Sequence, residues 1–158
     1  MNQRVSRREV LTGLAAAALT ALPRPSSAQT AKSAGHLEVH KDPQCGCCSL
    51  WVDHMKANGF TAAVRDGDVA PIKAKHKITP ALSSCHTTLI GGYVIEGHVP
   101  ASDVKRLLAE KPKGIVGLTI PGMPQSAPGM DMKPFQPYTV LSFDAQGKTA
   151  VYAKHDKA

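Results

Sequence analysis

The sequence predicts a single α/β domain over residues 37–158, preceded by a signal peptide over 1–28 and a flexible lead-in over 29–36. Three observations predict it. Short alternating runs that read as strands are interleaved with segments of helical period. Glycine and proline punctuate the joints between them. The chain of 158 residues shows no internal repeat and is long enough for one modest domain.

"MNQRVSRREVLTGLAAAALTALPRPSSAQT" has a positive start, an apolar run from Val10 to Leu22, and the small pair Ser26 and Ala28. That is the layout of a secretory signal with cleavage near Ala28. The run of about 13 residues is short for a bilayer span, so no stable membrane span is expected after cleavage. "SRREVL" resembles a twin-arginine export signal carried by Arg7 and Arg8. A general secretory signal with two adjacent arginines is the alternative. Export places the mature chain in the periplasm. Removing residues 1–28 takes away four arginines and one glutamate and lowers the net charge from +7 to +4. The remaining charges are dispersed and aromatics are few, so a nucleic-acid surface, which needs a basic stripe and stacking groups, is not expected.

"HLEVHK" (36–41) alternates as a strand with Leu37 and Val39 on one face. Pro43 breaks it. From Cys45 to Asn58, Cys47, Leu50, Trp51, His54 and Met55 fall at helical spacing. Gly59 stands where a left-handed cap belongs. "TAAVRD" is a second strand, and residues 68–78 read as a loop with a short helix. "TPALSSCHTTLI" and "YVIEGHV" form a hairpin across Gly91-Gly92. "PASDVKRLLAEKP" is a helix opened by Pro100, with Leu107 and Leu108 on its buried side. Residues 113–137 have no period and many prolines and glycines, which predicts a long loop of the kind that often serves function. "YTVLSFDAQGKTAVYAK" (138–154) closes the chain as a hairpin.

This order matches a thioredoxin-like arrangement, in which a C-x-x-C turn opens the first long helix and a cis-proline precedes the third strand. Cys45 and Cys48 fit the first feature, and Pro80 fits the second. Pro80 is therefore expected to be cis and close to the cysteine turn, with Cys85 on the strand beside it.

The chain has four cysteines, Cys45, Cys47, Cys48 and Cys85. Outside the cytoplasm they are expected to be paired or metal-bound. At a helix N-terminus the free N–H groups and positive partial charge favour thiolate, which is both nucleophile and metal ligand. Dithiol chemistry needs only Cys45 and Cys48, and a third thiol between them invites wrong pairings. A soft metal gains from Cys47, and Cys85 can close such a site. Thiolate and thioether donors favour copper(I), and the loop offers Met123, Met130 and Met132. His86, beside Cys85, and His98 are further candidate ligands. Four thiolates alone suit zinc equally well.

Each motif also has a plainer reading. The cysteines can be structural disulfides. The methionines can simply fasten the loop to the core. His54 reads as a satisfied core histidine, and His36, His40, His76 and His155 as surface residues or strand ends.

"CGCCSLWVDHMKANGF" fits the pattern C-x-C-C-x-x-W-x-x-H-x-x-x-x-G-F, and "SCHT", "GGYVIEGHVP", "RLLAEKP", "PGMP" and "PGM" follow in order. These motifs resemble the CopG-type periplasmic copper-resistance family, distinct from the plasmid DNA-binding repressor of that name. The likeness runs from about residue 37 to residue 143. It implies a thioredoxin-like fold, copper held by Cys45, Cys47, Cys48 and Cys85 in a cysteine-bridged cluster, and a part in copper redox handling alongside other periplasmic copper-handling proteins. Whether the chain is an enzyme stays open between copper and thiol oxidoreductase chemistry.

Overall fold

The computed structural model describes residues 33–157; the expected signal segment over 1–28 and residues 29–32 of the lead-in lie outside them. Seven strands form one sheet: β1 (Gly35–Lys41), β2 (Phe60–Asp66), β3 (His86–Ile90), β4 (Tyr93–Glu96), β5 (Gly117–Thr119), β6 (Tyr138–Phe143) and β7 (Thr149–His155). Their spatial order is β2-β1-β3-β4-β5-β6-β7. β1 runs parallel to β2 and antiparallel to β3, β3 antiparallel to β4, and β4 parallel to β5. β5, β6 and β7 then pair antiparallel.

Among the described residues, three helices connect them: α1 (Gly46–Ala57), α2 (Ala70–Lys75) and α3 (Ala101–Glu110). Trp51, Val52 and Met55 of α1 share one core with Val104 and Leu107 of α3 and with Leu37, Val39, Ile95, Leu118 and Val140 of the sheet. Side chains alternate along a strand. Val94, next to Ile95, accordingly faces the other way and packs with Ile78, Leu82 and Phe143. α2 buries no residue of its own. Among the described residues, no helix is long and apolar enough to cross a membrane.

The predicted elements around the cysteines form where expected. Gly91 and Gly92 take φ of +56° and +85°, the left-handed pair that a two-residue hairpin turn requires. Three expectations are corrected. The Thr79–Pro80 bond is trans, and the cis bond among the described residues is Lys133–Pro134. Pro80 is exposed, in a turn where Leu82 N–H donates to the Thr79 carbonyl. Cys85 lies one residue ahead of β3, because the ladder with β1 starts at His86. The predicted loop over 113–137 contains β5, a strand of three residues too short to show a period. Gly117 belongs there because a Cβ would run into the Val94 carbonyl and come within 2.5 Å of the Phe143 ring.

Candidate metal centre

The chain reaches the cysteine turn through a local device. Asp42 Oδ1 accepts the Gln44 N–H at 2.7 Å, and its carbonyl accepts the Cys45 N–H at 3.0 Å. An aspartate that bonds backbone two residues on makes a tight turn. Cys45 then occupies the N-cap of α1 without a side-chain cap bond, and no acidic residue sits in the first turn. Cys48 is one helical turn along on the inward face and is fully buried, as are Trp51 and Met55. The Trp51 indole donates to the Val99 carbonyl at 2.9 Å, which ties α1 to the entry of α3.

The second half of the site comes from the run just before β3 and from the segment after β4. Together they bring Cys85, His86 and His98 against the cysteine turn. One ligand atom each from Cys45, Cys47, Cys48 and Cys85 lies within 4.8 Å of the others, and Cys48, Cys85, His86 and His98 form a second, overlapping group on the same criterion. Cys45 and Cys48 are joined as a disulfide, while Cys47 and Cys85 are free. Cys47 Sγ stands 3.6 Å from Cys45 Sγ. Cys85 Sγ lies 3.0 Å from His98 Nε2 and 3.4 Å from His86 Nδ1. The two imidazoles meet edge-on at 5.1 Å, and His86 also packs on Trp51 at 4.5 Å. His86 Nε2 is buried without a hydrogen-bond partner.

Desolvation dominates the electrostatics. Burial, reinforced by the neighbouring Cys47, pushes the Cys85 thiol up to about 11. A helix N-terminus therefore does not set the protonation of this thiol. Burial also lowers His98, and lowers His86 well below the ordinary imidazole value, so both rings are neutral and can donate lone pairs.

The long loop closes over the turn. Residues 126–129 are buried. The Pro128 carbonyl accepts from His98 Nδ1 at 2.7 Å. Gly129 has φ +85°, and a Cβ there would come within 2.6 Å of Trp51 N and 2.9 Å of the Cys47 carbonyl. Glycine is the residue that fits both constraints. Met123 and Met132 are 55% and 49% exposed and do not fasten this loop. Met130, beside Gly129, is half-buried.

The predicted site residues thus fall into groups. The four cysteines, His86 and His98 are brought together. Met130 adjoins the covering segment, and Met123 points to solvent. His54 is half-buried on α1 and is satisfied there, its Nε2 accepting the first N–H of α3, from Ala101, at 3.3 Å. His155 does more than end a strand, since it pairs with Asp103 at 2.7 Å and stacks on Tyr138. Sequence reasoning quoted the motifs that hold Pro128, Gly129 and the buried Glu96 but gave these residues no role. An acidic residue at the end of the apolar run "YVIE" was the available signal for Glu96.

The donors match a soft ion. Thiol sulfurs from two segments and two neutral imidazoles suit copper(I) or zinc and offer nothing to a hard cation, which takes oxygen. Using all four sulfurs as thiolates first requires the Cys45–Cys48 bond to be reduced.

The family model described as "Protein of unknown function, DUF411" matches residues 82–130. No curated protein matches the chain. Two solved structures do. Copper resistance protein CopG in its form 1 is 35% identical, with a TM-score of 0.72, over 77% of this chain and 98% of that one. The form 2 structure is 36% identical, with a TM-score of 0.71 and the same coverage. The chain belongs to the CopG copper resistance protein family.

Proposed function

We propose that this chain is an exported, periplasmic copper-binding protein that sequesters copper, or interconverts its oxidation states, through a thiolate site of Cys45, Cys47, Cys48 and Cys85. The observation that carries this reading is the convergence of four cysteines within 4.8 Å, two of them not needed for a disulfide. The similar structures are of a copper resistance protein, which favours copper over zinc. Residues 1–28 serve as the signal, of twin-arginine type, and the cargo is met as periplasmic copper ions and through other copper-handling proteins there. A thioredoxin-like core carries the site. The order β2-β1-β3-β4, with β1 parallel to β2 and the next two strands antiparallel, supports that assignment.

Cys48, His86 and His98 are the buried candidate donors, and Cys45, Cys47 and Cys85 the partly exposed ones. His98 and His86 stand as neutral imidazoles at the Cys85 sulfur; the thiol holds its proton more tightly than either ring would, so the proton leaves to solvent when a metal ion displaces it. Redox turnover has a fixed stoichiometry. Opening the Cys45–Cys48 disulfide to two thiols takes two electrons and two protons. Two copper(I) ions leaving as copper(II) supply those electrons.

One observation favours a second reading, a thiol–disulfide oxidoreductase using Cys45 and Cys48. It is the disulfide itself, placed at the start of α1. Against it stand Cys47 and Cys85, free thiols that dithiol chemistry does not use and that lie within 4.8 Å of the joined pair. Elemental analysis of protein taken from the periplasm of copper-grown cells, with an anaerobic copper(I) titration of the reduced protein, separates the two. Bound copper with weak reductase activity is expected. Strong reductase activity in protein that binds no copper overturns the copper reading.

A further inference from the structure

We infer that Glu96 and Lys73 are positioning residues for Cys85, a buried ion pair that grips both backbone groups of the residue just ahead of it. This rests on the thiolate-site reading and adds to it the device that sets the fourth sulfur in place.

Glu96 is fully buried at the end of β4, and Lys73 reaches it from α2. A buried charge persists only when it is paired and fully hydrogen-bonded. Here each partner spends its remaining bonds on one short stretch. Glu96 Oε1 accepts the Ser84 N–H at 2.7 Å, and Oε2 accepts the Thr87 hydroxyl at 2.7 Å. Lys73 Nζ donates to the Ser84 carbonyl at 3.0 Å and to Thr87 Oγ1 at 3.2 Å. Both backbone groups of Ser84 are therefore held by the ion pair, and Thr87 pins the chain on the other side of Cys85 and His86. Burial raises the Glu96 carboxyl, and these donors oppose that rise.

The neighbours of Glu96 act on the same stretch. A Cβ on Gly97, whose φ is +75°, would come within 2.5 Å of the Ser84 side chain, and the Gly97 N–H donates to the His86 carbonyl at 2.9 Å. His98 meets the Cys85 sulfur. "Glu-Gly-His" over 96–98 thus reads "Ser-Cys-His" over 84–86, with charge, space and a lone pair in turn. The clamp explains why α2, which buries nothing, carries a lysine inward. It fixes the Cys85 backbone before any metal arrives, so the thiol does not have to be ordered on binding.

The test compares Glu96→Gln, Lys73→Met and the double variant Lys73→Met/Glu96→Leu with wild type. The double variant removes both charges together, a change that buried pairs often tolerate, and it guards against a simple failure to fold. Two measurements are made. The first is copper(I) affinity of the reduced protein against a chromogenic chelator. The second is the alkylation rate of Cys85 relative to Cys47 in metal-free protein with Cys45–Cys48 oxidised. Affinity is expected to fall about 10–100-fold, the usual loss when an outer partner of a ligand is removed. The Cys85:Cys47 rate ratio is expected to rise several-fold, whereas general loosening moves both thiols together. A folded double variant with wild-type affinity and an unchanged ratio overturns the inference. Wild type that binds no copper(I) sinks the proposed function, and the alkylation ratio alone then decides whether the clamp exists.

Discussion

The imidazole of His98 lies 3.0 Å through Nε2 from the Cys85 sulfur and 2.7 Å through Nδ1 from the Pro128 carbonyl. A carbonyl can only accept, so Nδ1 carries the proton and Nε2 keeps its lone pair towards Cys85. The covering loop thereby sets the tautomer of a ring that touches the candidate metal centre.

This linkage makes His98→Ala a probe of both. The change leaves the buried Pro128 carbonyl without its donor, at a cost of about 1–3 kcal/mol. We expect a lower melting temperature in the metal-free protein and weaker copper(I) binding, read by thermal unfolding and by chelator competition. A full loss of stability with unchanged copper affinity would show that the ring serves the loop alone.

Gly129→Ala tests the cover from the other side. Its φ of +85° disfavours any L side chain, and the new Cβ would press on Trp51 N and the Cys47 carbonyl. A left-handed backbone alone costs roughly 1–2 kcal/mol. The loop should lift, with faster transfer of bound copper to a competing chelator. Stopped-flow transfer kinetics check this, and an unaltered rate would mean that 126–129 does not gate the site.

The helices, the glycine-turned hairpins and the cysteine turn of Cys45, Cys47 and Cys48 were legible because each is written locally. The spacing from Cys45 to Met55 is the α1 face, and Gly91-Gly92 is the turn. Cys85 could be joined to the cysteine turn only by supposing a fold, and the supposition used Pro80 as its marker. Pro80 proved trans and exposed, yet Cys85 reached the site, brought there by the ladder of β3 on β1 and by Glu96. Contacts of that kind join residues 12 or more apart, such as Ser84 to Glu96, and leave no period in the chain. β5 escaped notice for the same reason. Its three residues make sense only between β4 and β6.

The raised Cys85 thiol predicts a specific pH effect on the metal-free protein. Its folded value of about 11 lies above the ordinary 9.0. As pH rises, the unfolded chain therefore loses this proton first. The protonated, buried form contributes stability that is complete below pH 9.0 and is lost as pH climbs through about 11. The melting temperature of wild type should fall relative to Cys85→Ala across that window. A constant difference between the two would show that Cys85 ionises in the folded protein as it does in the unfolded chain.

Export is tested in the segment before the domain. Replacing Arg7 and Arg8 together with lysine should hold the precursor in the cytoplasm, because the twin-arginine route reads that pair. Fractionation and immunoblotting check this. Processed variant in the periplasm would assign the signal to the general secretory route.

Cys85→Ser discriminates most sharply between copper binding and dithiol chemistry. Cys45 and Cys48 are already joined, and a thiol–disulfide reaction needs no further sulfur. In that case serine at 85 leaves reductase activity intact. In a copper site Cys85 is the donor that faces the cysteine turn from the other segment, within 4.8 Å of all three sulfurs there. Serine keeps the size and the neighbouring His98 but presents a hard, protonated oxygen, which copper(I) binds poorly. Copper(I) stoichiometry or affinity in anaerobic titration should then fall at least about tenfold, on the scale of losses seen even for outer partners of a ligand. The three remaining cysteines, all present and reducible, should not restore it. Copper binding equal to wild type in this variant would remove Cys85 from the site and leave the sulfurs of the turn to bind metal by themselves.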